Sequence, residues 1–307
     1  MLMPSDIVVE KKFHFTGHAA GVFALEGGLK PDTVLSGGGD GVIAEWNLDG
    51  NGDAEGLARV PGNIFALLLM ADKGLVMAGD LYGGVYVIDT ATRQEVNRFS
   101  WDGAAVYAFL RLDDERVAIG SGTGNLLIRN INSHTTEQVI NIGQEAIRSL
   151  VKHPTLPQIA LGCSDNCVHI LDADTLKTIT VLHGHVNSVF SVQYHPNEKH
   201  LLSGARDAQI RIWDVADGYS CLQTLPAHMF TVNDIKFHPD GHLFASAGRD
   251  KHVKIWDAET YALLKVIDRE KYDGHINSVN KLFWSKWQNT LISCGDDRTV
   301  MGWGLIS

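Results

Sequence analysis

The chain has 307 residues, of which 45% are hydrophobic, and its formal net charge is −10 at pH 7. This hydrophobic fraction is ordinary for a globular protein. The negative charge argues against binding to nucleic acid, because phosphate contacts need clustered Lys and Arg, and it argues equally against an anionic membrane surface.

The four cysteines, Cys163, Cys167, Cys221 and Cys294, bear on metal binding and on the redox compartment. A zinc site requires a second close pair beside Cys163 and Cys167, and the sequence has none, so we interpret the four as free thiols in a reducing compartment. The N-terminus has no apolar signal-peptide region, and no apolar run is long enough to span a membrane. We therefore expect a cytoplasmic protein without metal or cofactor.

A first predicted strand covers residues 6–15, and after it the chain repeats itself about every 42 residues. Successive gaps between equivalent residues are 42, 41, 42, 42, 43 and 47. The seven equivalent positions hold Trp46, Ile88, Arg129, Leu171, Trp213, Trp256 and Trp303.

The fifth repeat shows the internal pattern most clearly, because it reads as three short strands. The apolar run VFSVQYH ends before Pro196, HLLSGA follows a polar turn, and QIRIWD alternates with period two. Repeats of this length, each made of short strands, predict a propeller of four-stranded blades.

Four residue types recur at identical spacing in repeats one, five, six and seven. A His lies 22 residues before an Asp, a Ser lies four before that Asp, and a Trp lies six after it. The four sets are His18, Ser36, Asp40 and Trp46; His185, Ser203, Asp207 and Trp213; His228, Ser246, Asp250 and Trp256; and His275, Ser293, Asp297 and Trp303.

Repeats two to four are degenerate at these positions. Only Asp165 retains the turn Asp, and the set of four residues is lost as a whole in repeats two and three, which is the expected pattern because a half-satisfied buried network costs more than an apolar one. The His positions hold Val60, Asp102 and Gly143, the Ser positions hold Ala78, Ile119 and Leu161, and the two other turn positions hold Tyr82 and Thr123.

With Gly184-His185 and Trp213-Asp214 in these places, the chain resembles the WD-repeat β-propeller family. The resemblance implies one all-β, seven-bladed propeller over residues 1–307, with four antiparallel strands per blade. It also implies a hydrogen-bond relay in which Trp donates to Ser, Ser to His, and His to Asp. A Ser-His-Asp hydrolase triad occurs once per active site, whereas this set occurs four times, so we assign it a structural role.

The last repeat lacks a fourth strand after Gly304. We expect residues 6–15 to supply the outer strand of the last blade and close the ring, which would remove exposed edges.

In related propellers, partners often dock on the top face, through residues at the start of each inner strand and just before the turn Asp. The register places four aromatics and three arginines there, which are residue types enriched in binding hot spots. An alternative is that the aromatics pack between blades and that the arginines only flank their turns. The candidate binding residues are Phe23, Phe65, Tyr107, Arg148, Phe190, Arg206, Asn233, Arg249 and Asn280.

The sequence shows no nucleotide-binding loop, no HExxH motif and no paired carboxylates outside the structural turns, so we assign no catalytic residue. Asp234 and Lys281 are charged residues on predicted inner strands, and we expect Asp234 to bond to backbone. His183 and His185 resemble a metal-binding pair, but the relay would already use His185. The charged insertion Arg269 to Tyr272 is predicted to project from the top face, with a solvated loop as the simpler interpretation.

We therefore predict a non-catalytic, monomeric interaction scaffold that binds a protein or peptide, possibly acidic, on its top face. One alternative is an enzymatic or small-ligand propeller that uses the axial pocket. A second is a scaffold that partners grip from the side or bottom, where Trp284 and Trp287 lie in the last repeat.

Overall fold

A computed structural model describes residues 7–49 and 54–306 and shows seven four-stranded antiparallel sheets arranged in a ring. The inner strands of successive sheets contact one another, and the first sheet contacts the last. The all-β, seven-bladed propeller predicted from the repeat period is therefore confirmed. No helix in the described part of the chain is long and apolar enough to cross a membrane.

The first three blades follow an N-terminal strand, β1 (Val8–Thr16). Their strands are β2 (Val22–Gly27), β3 (Thr33–Gly38), β4 (Val42–Asn47) and β5 (Ala54–Arg59); β6 (Ile64–Met70), β7 (Leu75–Asp80), β8 (Gly84–Asp89) and β9 (Glu95–Ser100); β10 (Val106–Arg111), β11 (Arg116–Ser121), β12 (Asn125–Asn130) and β13 (Thr136–Asn141).

The next three blades follow the same plan. Their strands are β14 (Ile147–Lys152), β15 (Gln158–Cys163), β16 (Val168–Asp172) and β17 (Thr178–Leu182); β18 (Val189–Tyr194), β19 (His200–Ala205), β20 (Gln209–Asp214) and β21 (Ser220–Pro226); β22 (Val232–Phe237), β23 (Leu243–Gly248), β24 (Val253–Asp257) and β25 (Leu263–Ile267). Strands β18, β19 and β20 lie where the sequence of the fifth repeat predicts them.

The seventh blade is built from both ends of the chain, with the strand order β1, β28, β27, β26. Its strands besides β1 are β26 (Val279–Ser285), β27 (Thr290–Gly295) and β28 (Thr299–Ile306). One helical turn, α1 (Arg269–Tyr272), precedes this blade, and two 3-10 turns, Ala71–Lys73 and Trp287–Asn289, lie in bottom connections.

Closure of the ring by the N-terminal strand is confirmed, because β1 pairs antiparallel with β28 from Val8 opposite Ile306 to Thr16 opposite Thr299. The strand begins two residues later than predicted, and residue 6 lies outside the described residues. Phe15, which is 3% exposed, stacks on Trp46 of the first blade at 5.2 Å between ring centroids. The added strand thus pairs with one blade and packs against the next.

The hydrophobic core is divided into seven clusters of buried side chains, one at each junction between neighbouring blades. Apolar residues on both faces of the middle strands fill these junctions, which explains the continuous apolar runs in the sequence. Each blade therefore depends on its neighbours for burial, as in other repeat proteins.

Candidate functional site: the top face of the propeller

Each of the four blades that contain the full His, Ser, Asp and Trp set has a buried four-residue hydrogen-bond relay. In the fifth blade, Trp213 Nε1 donates to Ser203 Oγ at 2.8 Å, Ser203 Oγ lies 2.8 Å from His185 Nε2, and His185 Nδ1 lies 2.9 Å from Asp207 Oδ2. One arrangement satisfies every group: a neutral imidazole that accepts from Ser and donates to Asp. The corresponding bonds occur in the first, sixth and seventh blades.

The buried position of the relay rules it out as a hydrolase triad. Ser203 is 0% exposed, and its oxygen is already bonded to both Trp213 and His185. A nucleophile needs access to a substrate carbonyl, which this oxygen does not have. The other three serines are equally inaccessible: Ser36, Ser246 and Ser293.

The turn carboxylates also fix the backbone at the top face, which is the end of the ring where strands two and three of each blade turn. Asp207 Oδ2 accepts from the backbone N–H of Val186 at 3.1 Å. Asp250 and Asp297 accept in the same way from Met229 and Ile276, each at 3.0 Å. Each carboxylate thereby ties its turn to the loop that enters the inner strand.

These hydrogen bonds favour the ionised carboxylate although the group is buried. Burial by itself would raise the pKa of Asp250, but the hydrogen bond and charge of His228, together with the N–H of Met229, lower it to about 2. The pKa of Asp297 is about 2 for the same reason, with burial opposed mainly by His275. Burial lowers the pKa of His228, and the hydrogen bond to Asp250 opposes that shift.

The second blade lacks the relay, as the sequence predicts, but a different carboxylate occupies its turn. Asp80, two residues before the predicted turn position, is 2% exposed and accepts from the N–H groups of Tyr82 and Gly84 at 2.8 and 2.7 Å. Its other oxygen accepts from the hydroxyl of Tyr86 at 3.0 Å. The turn still contains a satisfied carboxylate, but in a position that the repeat spacing does not reveal.

The third blade also lacks the relay, and a hydrogen-bonded polar pair stands in its place. Asp102 occupies the His position of the relay and accepts from the hydroxyl of Thr123, at the Asp position, at 2.6 Å. The Thr123 hydroxyl lies 3.0 Å from Ser121 Oγ. In the relay the loop residue donates and the turn residue accepts. Here the loop residue, Asp102, accepts and the turn residue, Thr123, donates.

The fourth blade keeps the turn carboxylate and gives it a new partner. His169 Nε2 lies 2.7 Å from Asp165 Oδ2, and Asp165 Oδ1 accepts from the N–H of Cys167 at 3.0 Å. The imidazole comes from the third strand of the blade instead of from the preceding loop, where Gly143 has no side chain.

A β-bulge near the top of every inner strand builds the axial opening. The register shifts by one residue between Val189 and Ser191, so the intervening Phe190 has no partner on β19. The same shift occurs in the other six inner strands. Bulges re-aim side chains near functional sites. The seven bulged residues are those that the register predicts at the strand position: Phe23, Phe65, Tyr107, Arg148, Phe190, Asn233 and Asn280.

These seven residues, with Lys281, line one cavity of about 130 Å³ on the axis. The rings of Phe23 and Phe65 stack at 4.8 Å, and Phe65 meets Tyr107 edge to face at 5.6 Å. Arg148 lies over Tyr107 at 4.1 Å and over Phe190 at 5.2 Å. The aromatics thus pack against one another around the axis and form one half-buried wall.

Arg148 has no carboxylate partner among the described residues. Its Nε donates to Ser164 Oγ at 2.9 Å, and the guanidinium otherwise lies against the two rings. A cation held between aromatic faces retains donors for a ligand oxygen.

The two asparagines of the candidate set make bonds that hold the blades together. The amide of Asn233 donates to Ser278 Oγ at 2.9 Å and to the carbonyl of Val279 at 2.7 Å. The amide of Asn280 donates to the carbonyl of Val22 at 2.9 Å and to Asp296 at 2.7 Å. Their nitrogen donors are therefore largely used within the ring.

Deeper in the channel, the carboxylate of Asp234 is held by hydrogen bonds and lies near a lysine. Asp234 is 2% exposed; it accepts from the N–H of Leu282 at 3.0 Å and from Ser191 Oγ at 3.1 Å, and Lys281 lies 3.7 Å away. The expectation that Asp234 bonds to backbone is confirmed. Glu26, which our sequence analysis did not single out, also lines the channel, and burial raises its pKa.

Arg206 and Arg249 do not line the axial cavity. Both are exposed, and neither side chain makes a hydrogen bond or ion pair with another described residue. Their backbone N–H groups donate to Ser188 and Thr231, each at 2.9 Å. These bonds place each arginine turn against the loop that enters the inner strand of the same blade.

Those loops and the corresponding loop of the seventh blade expose four apolar side chains that the sequence analysis missed. We call this set the top arc: Val186, Met229, Phe230 and Ile276, which are 78, 77, 57 and 47% exposed. Three of them directly follow the relay histidine, and this position is the signal that identifies them. In the first blade the equivalent residue is the small Ala19.

The charged insertion before the seventh blade folds as α1, where Asp268 accepts from the N–H of Lys271 at 2.8 Å. A groove of about 360 Å³ lies beside Ile276 of the top arc, lined by Lys251, His252, Asp268, Arg269, Glu270 and His275.

The tryptophans that motivated a bottom-face site are not free. Trp284 is 7% exposed and donates to the carbonyl of Lys236 at 3.1 Å, and Trp287 is half-buried against the core.

Comparison with known proteins points to one family. The profile described as WD domain, G-beta repeat, matches residues 176–214, 219–257 and 268–304. A WD repeat-containing protein, SL1-17 of Schistosoma mansoni, is 31% identical over 303 residues, which cover 97% of this chain and 98% of that protein. Striatin-3 of Mus musculus is 24% identical over 248 residues, covering 72% of this chain. The chain spans 30% of the length of that striatin.

Proposed function

The chain belongs to the WD-repeat family of β-propellers, and we propose that it is a non-catalytic interaction scaffold that binds a partner peptide on its top face. The observation that carries this proposal is that, in both the fifth and the sixth blade, an exposed apolar residue lies near an exposed arginine that has no side-chain partner among the described residues. Large exposed apolar residues close together are uncommon on monomeric proteins unless they bind something.

The charge of the surface specifies the ligand. On this protein of net charge −10, some arginines elsewhere are held by carboxylates, such as Arg111 by Asp72 and Arg116 by Asp113, whereas others, such as Arg129, are not. Arg148, Arg206 and Arg249 have no such partner among the described residues. Guanidinium groups bind carboxylates through two parallel bonds. We infer that the ligand is an acidic segment.

The apolar side chains specify the rest of the ligand. Met229 and Phe230 stand beside Arg249, and Val186 stands beside Arg206, so acidic and apolar residues should alternate along the bound segment. Met and aromatic side chains adapt to varied apolar partners. The aromatic axial cavity, of about 130 Å³, would hold a single apolar side chain of that segment.

Peptide selection on the full-length chain tests this function. A displayed library of random peptides should enrich sequences that carry Asp or Glu next to Phe, Leu or Met. A selected peptide is then titrated calorimetrically. Arg206→Ala, Phe190→Ala and Phe230→Ala should each weaken it at least tenfold, as expected for hot-spot truncations of about 2 kcal/mol.

Matched controls separate the top face from the rest of the surface. Arg98→Ala removes an exposed arginine of an outer strand, and Leu222→Ala removes a similarly exposed apolar residue. On the bottom face, Lys199→Ala and Lys286→Ala should leave binding unchanged. Enrichment of basic peptides, or weaker binding with the controls and not with the top-face variants, contradicts the proposal.

A further inference from the structure

The fourth blade gathers metal-ligating side chains on one sheet face. Cys163 ends β15 and Cys167 directly precedes β16, and the two face each other because the N–H of Cys163 donates to the carbonyl of Cys167 at 3.1 Å. The pairing of Val168 with Leu182 places His183 opposite Cys167. His169 follows Cys167 by two residues, so both lie on the same face of the strand.

The ligand atoms of this cluster are already close together. The Sγ of Cys163, a carboxylate oxygen of Asp165 and a ring nitrogen of His169 all lie within 4.8 Å of one another. The Sγ of Cys167 lies 3.3 Å from His183 Nδ1 and 3.7 Å from the carbonyl of Asp165. Bond lengths of about 2.3 Å to sulfur and 2.0 Å to nitrogen or oxygen separate tetrahedral ligands by roughly 3.5 Å. The atoms of Cys163, Asp165 and His169 are thus close to the separation that coordination requires. Cys167 would join them as the fourth ligand through a change of its side-chain rotamer.

The surroundings favour a cation at this position. The only ion pair of Asp165 within the described residues is with His169, and no Lys or Arg neutralises the carboxylate or the two sulfurs. In the four blades that contain the relay, this sheet face holds the relay Ser, and the relay His enters from the preceding loop. Here Leu161 and Gly143 replace those two residues.

We propose that Cys163, Cys167, His169 and Asp165 form a zinc-binding site, with His183 hydrogen-bonded to the Cys167 sulfur. Sulfur and imidazole ligands favour Zn²⁺ over Mg²⁺ or Ca²⁺, which need oxygen ligands. Cys163 and His169 are buried, whereas Cys167 is half-buried and His183 exposed, so the ion reaches the site from the top face. All four cysteines are free in the structure, as the sequence predicts. The proposed site would use two of them, and His169 from β16 takes the place of the second cysteine pair that the sequence lacks.

Metal titration of the full-length chain, first stripped by chelation, tests this site. Zn²⁺ should bind at about one ion per chain, as a single tetrahedral site requires. Bound Co²⁺ should show the absorption of tetrahedral coordination together with a thiolate charge-transfer band. Because zinc binds the folded chain, it should also raise the melting temperature.

Ligand substitutions test the assignment. Cys167→Ser and His169→Gln should each weaken zinc binding at least tenfold, while Cys221→Ser, which alters the exposed cysteine of the fifth blade, should not. Both Cys167 and His169 lie near the surface end of the blade, and circular dichroism checks that the variants fold. No stoichiometric binding, cobalt absorption without the thiolate band, or equal affinity in all three variants overturns the proposal.

Discussion

Replacement of Asp207 by alanine should lower the free energy of unfolding by about 3 to 5 kcal/mol, as expected when one partner of a buried charged network is removed. Three donors lose their acceptor: His185 Nδ1 at 2.9 Å, the N–H of Val186 at 3.1 Å and the N–H of Gln209 at 3.1 Å. Each hydrogen bond to a charged group contributes roughly 1.5 to 3 kcal/mol. Water can reach the N–H of the exposed Val186, which is why the expected loss is smaller than the sum.

Urea-induced unfolding at pH 7, followed by tryptophan fluorescence, measures the loss. Asp207→Asn should cost less, because the amide oxygen still accepts one of the three bonds. Asp114→Ala serves as a control, since Asp114 is 96% exposed and its ion pair with Arg111 is a surface pair worth at most about 1 kcal/mol. If Asp207→Ala unfolds at the same urea concentration as Asp114→Ala, the relay does not stabilise this blade.

Three further outcomes follow from the same structure. Deletion of residues 1–15 removes the outer strand of the seventh blade, so we expect aggregation or a markedly lower melting temperature; a soluble monomer of unchanged stability would show that the ring closes otherwise. The pKa values of Asp250 and Asp297 are lowered to about 2, so their ionisation stabilises the fold by about 2 kcal/mol each above pH 4. This stability is lost as the pH falls toward 2, and urea titrations at pH 7, 4 and 3 would measure the loss. Thr123→Asp should destabilise the chain because two carboxylates would meet, and adding Asp102→Asn should recover part of the loss; additive effects in a double-mutant cycle would contradict this.

The architecture could be predicted from sequence because it follows from repeat spacing and from the family resemblance. Seven repeats, spaced 41 to 47 residues apart, predict seven blades, and the distances between His, Ser, Asp and Trp give the register in the four blades that contain them. The same register correctly identified Phe23, Phe65, Tyr107 and Phe190 as neighbours around one axis. It did so because every inner strand has the same bulge at the same residue.

Features that depend on compensation between side chains were not predictable from spacing. Asp80 accepts from the N–H groups of the turn in the second blade, from a position two residues before the one that the repeat spacing predicts. In the third blade, Asp102 accepts and Thr123 donates, the reverse of the relay. Both solutions have the same physical cause, since a tight turn leaves N–H groups that need an acceptor. A search for any buried acceptor near each turn would have found them, whereas a search for the repeated residue type did not.

The repeat pattern also does not show which apolar side chains are exposed to solvent. The sequence does not single out Met229 and Phe230, and it leaves Trp284 as a candidate for a bottom-face site. In the structure the first two are exposed, because they follow the relay histidine at the loop tip, and Trp284 is buried on an inward-facing strand position. Side-chain direction near a loop is set by tertiary hydrogen bonds, which a single sequence does not display.

The relay and the proposed binding surface are physically one system. The carboxylates of Asp207 and Asp250 hold the N–H groups of Val186 and Met229, which are the residues that the top arc presents to solvent. Without those bonds the loop tips would sample more conformations, and binding would have to order them at a cost of roughly 0.5 to 1.5 kcal/mol per immobilised side chain. The fourth blade lacks the relay, yet its turn carries Ser164, which accepts from Arg148 of the axial cavity. A metal ion bound between Cys163 and Asp165 would fix that turn in the way the relay fixes its neighbours, so zinc and peptide binding should each strengthen the other.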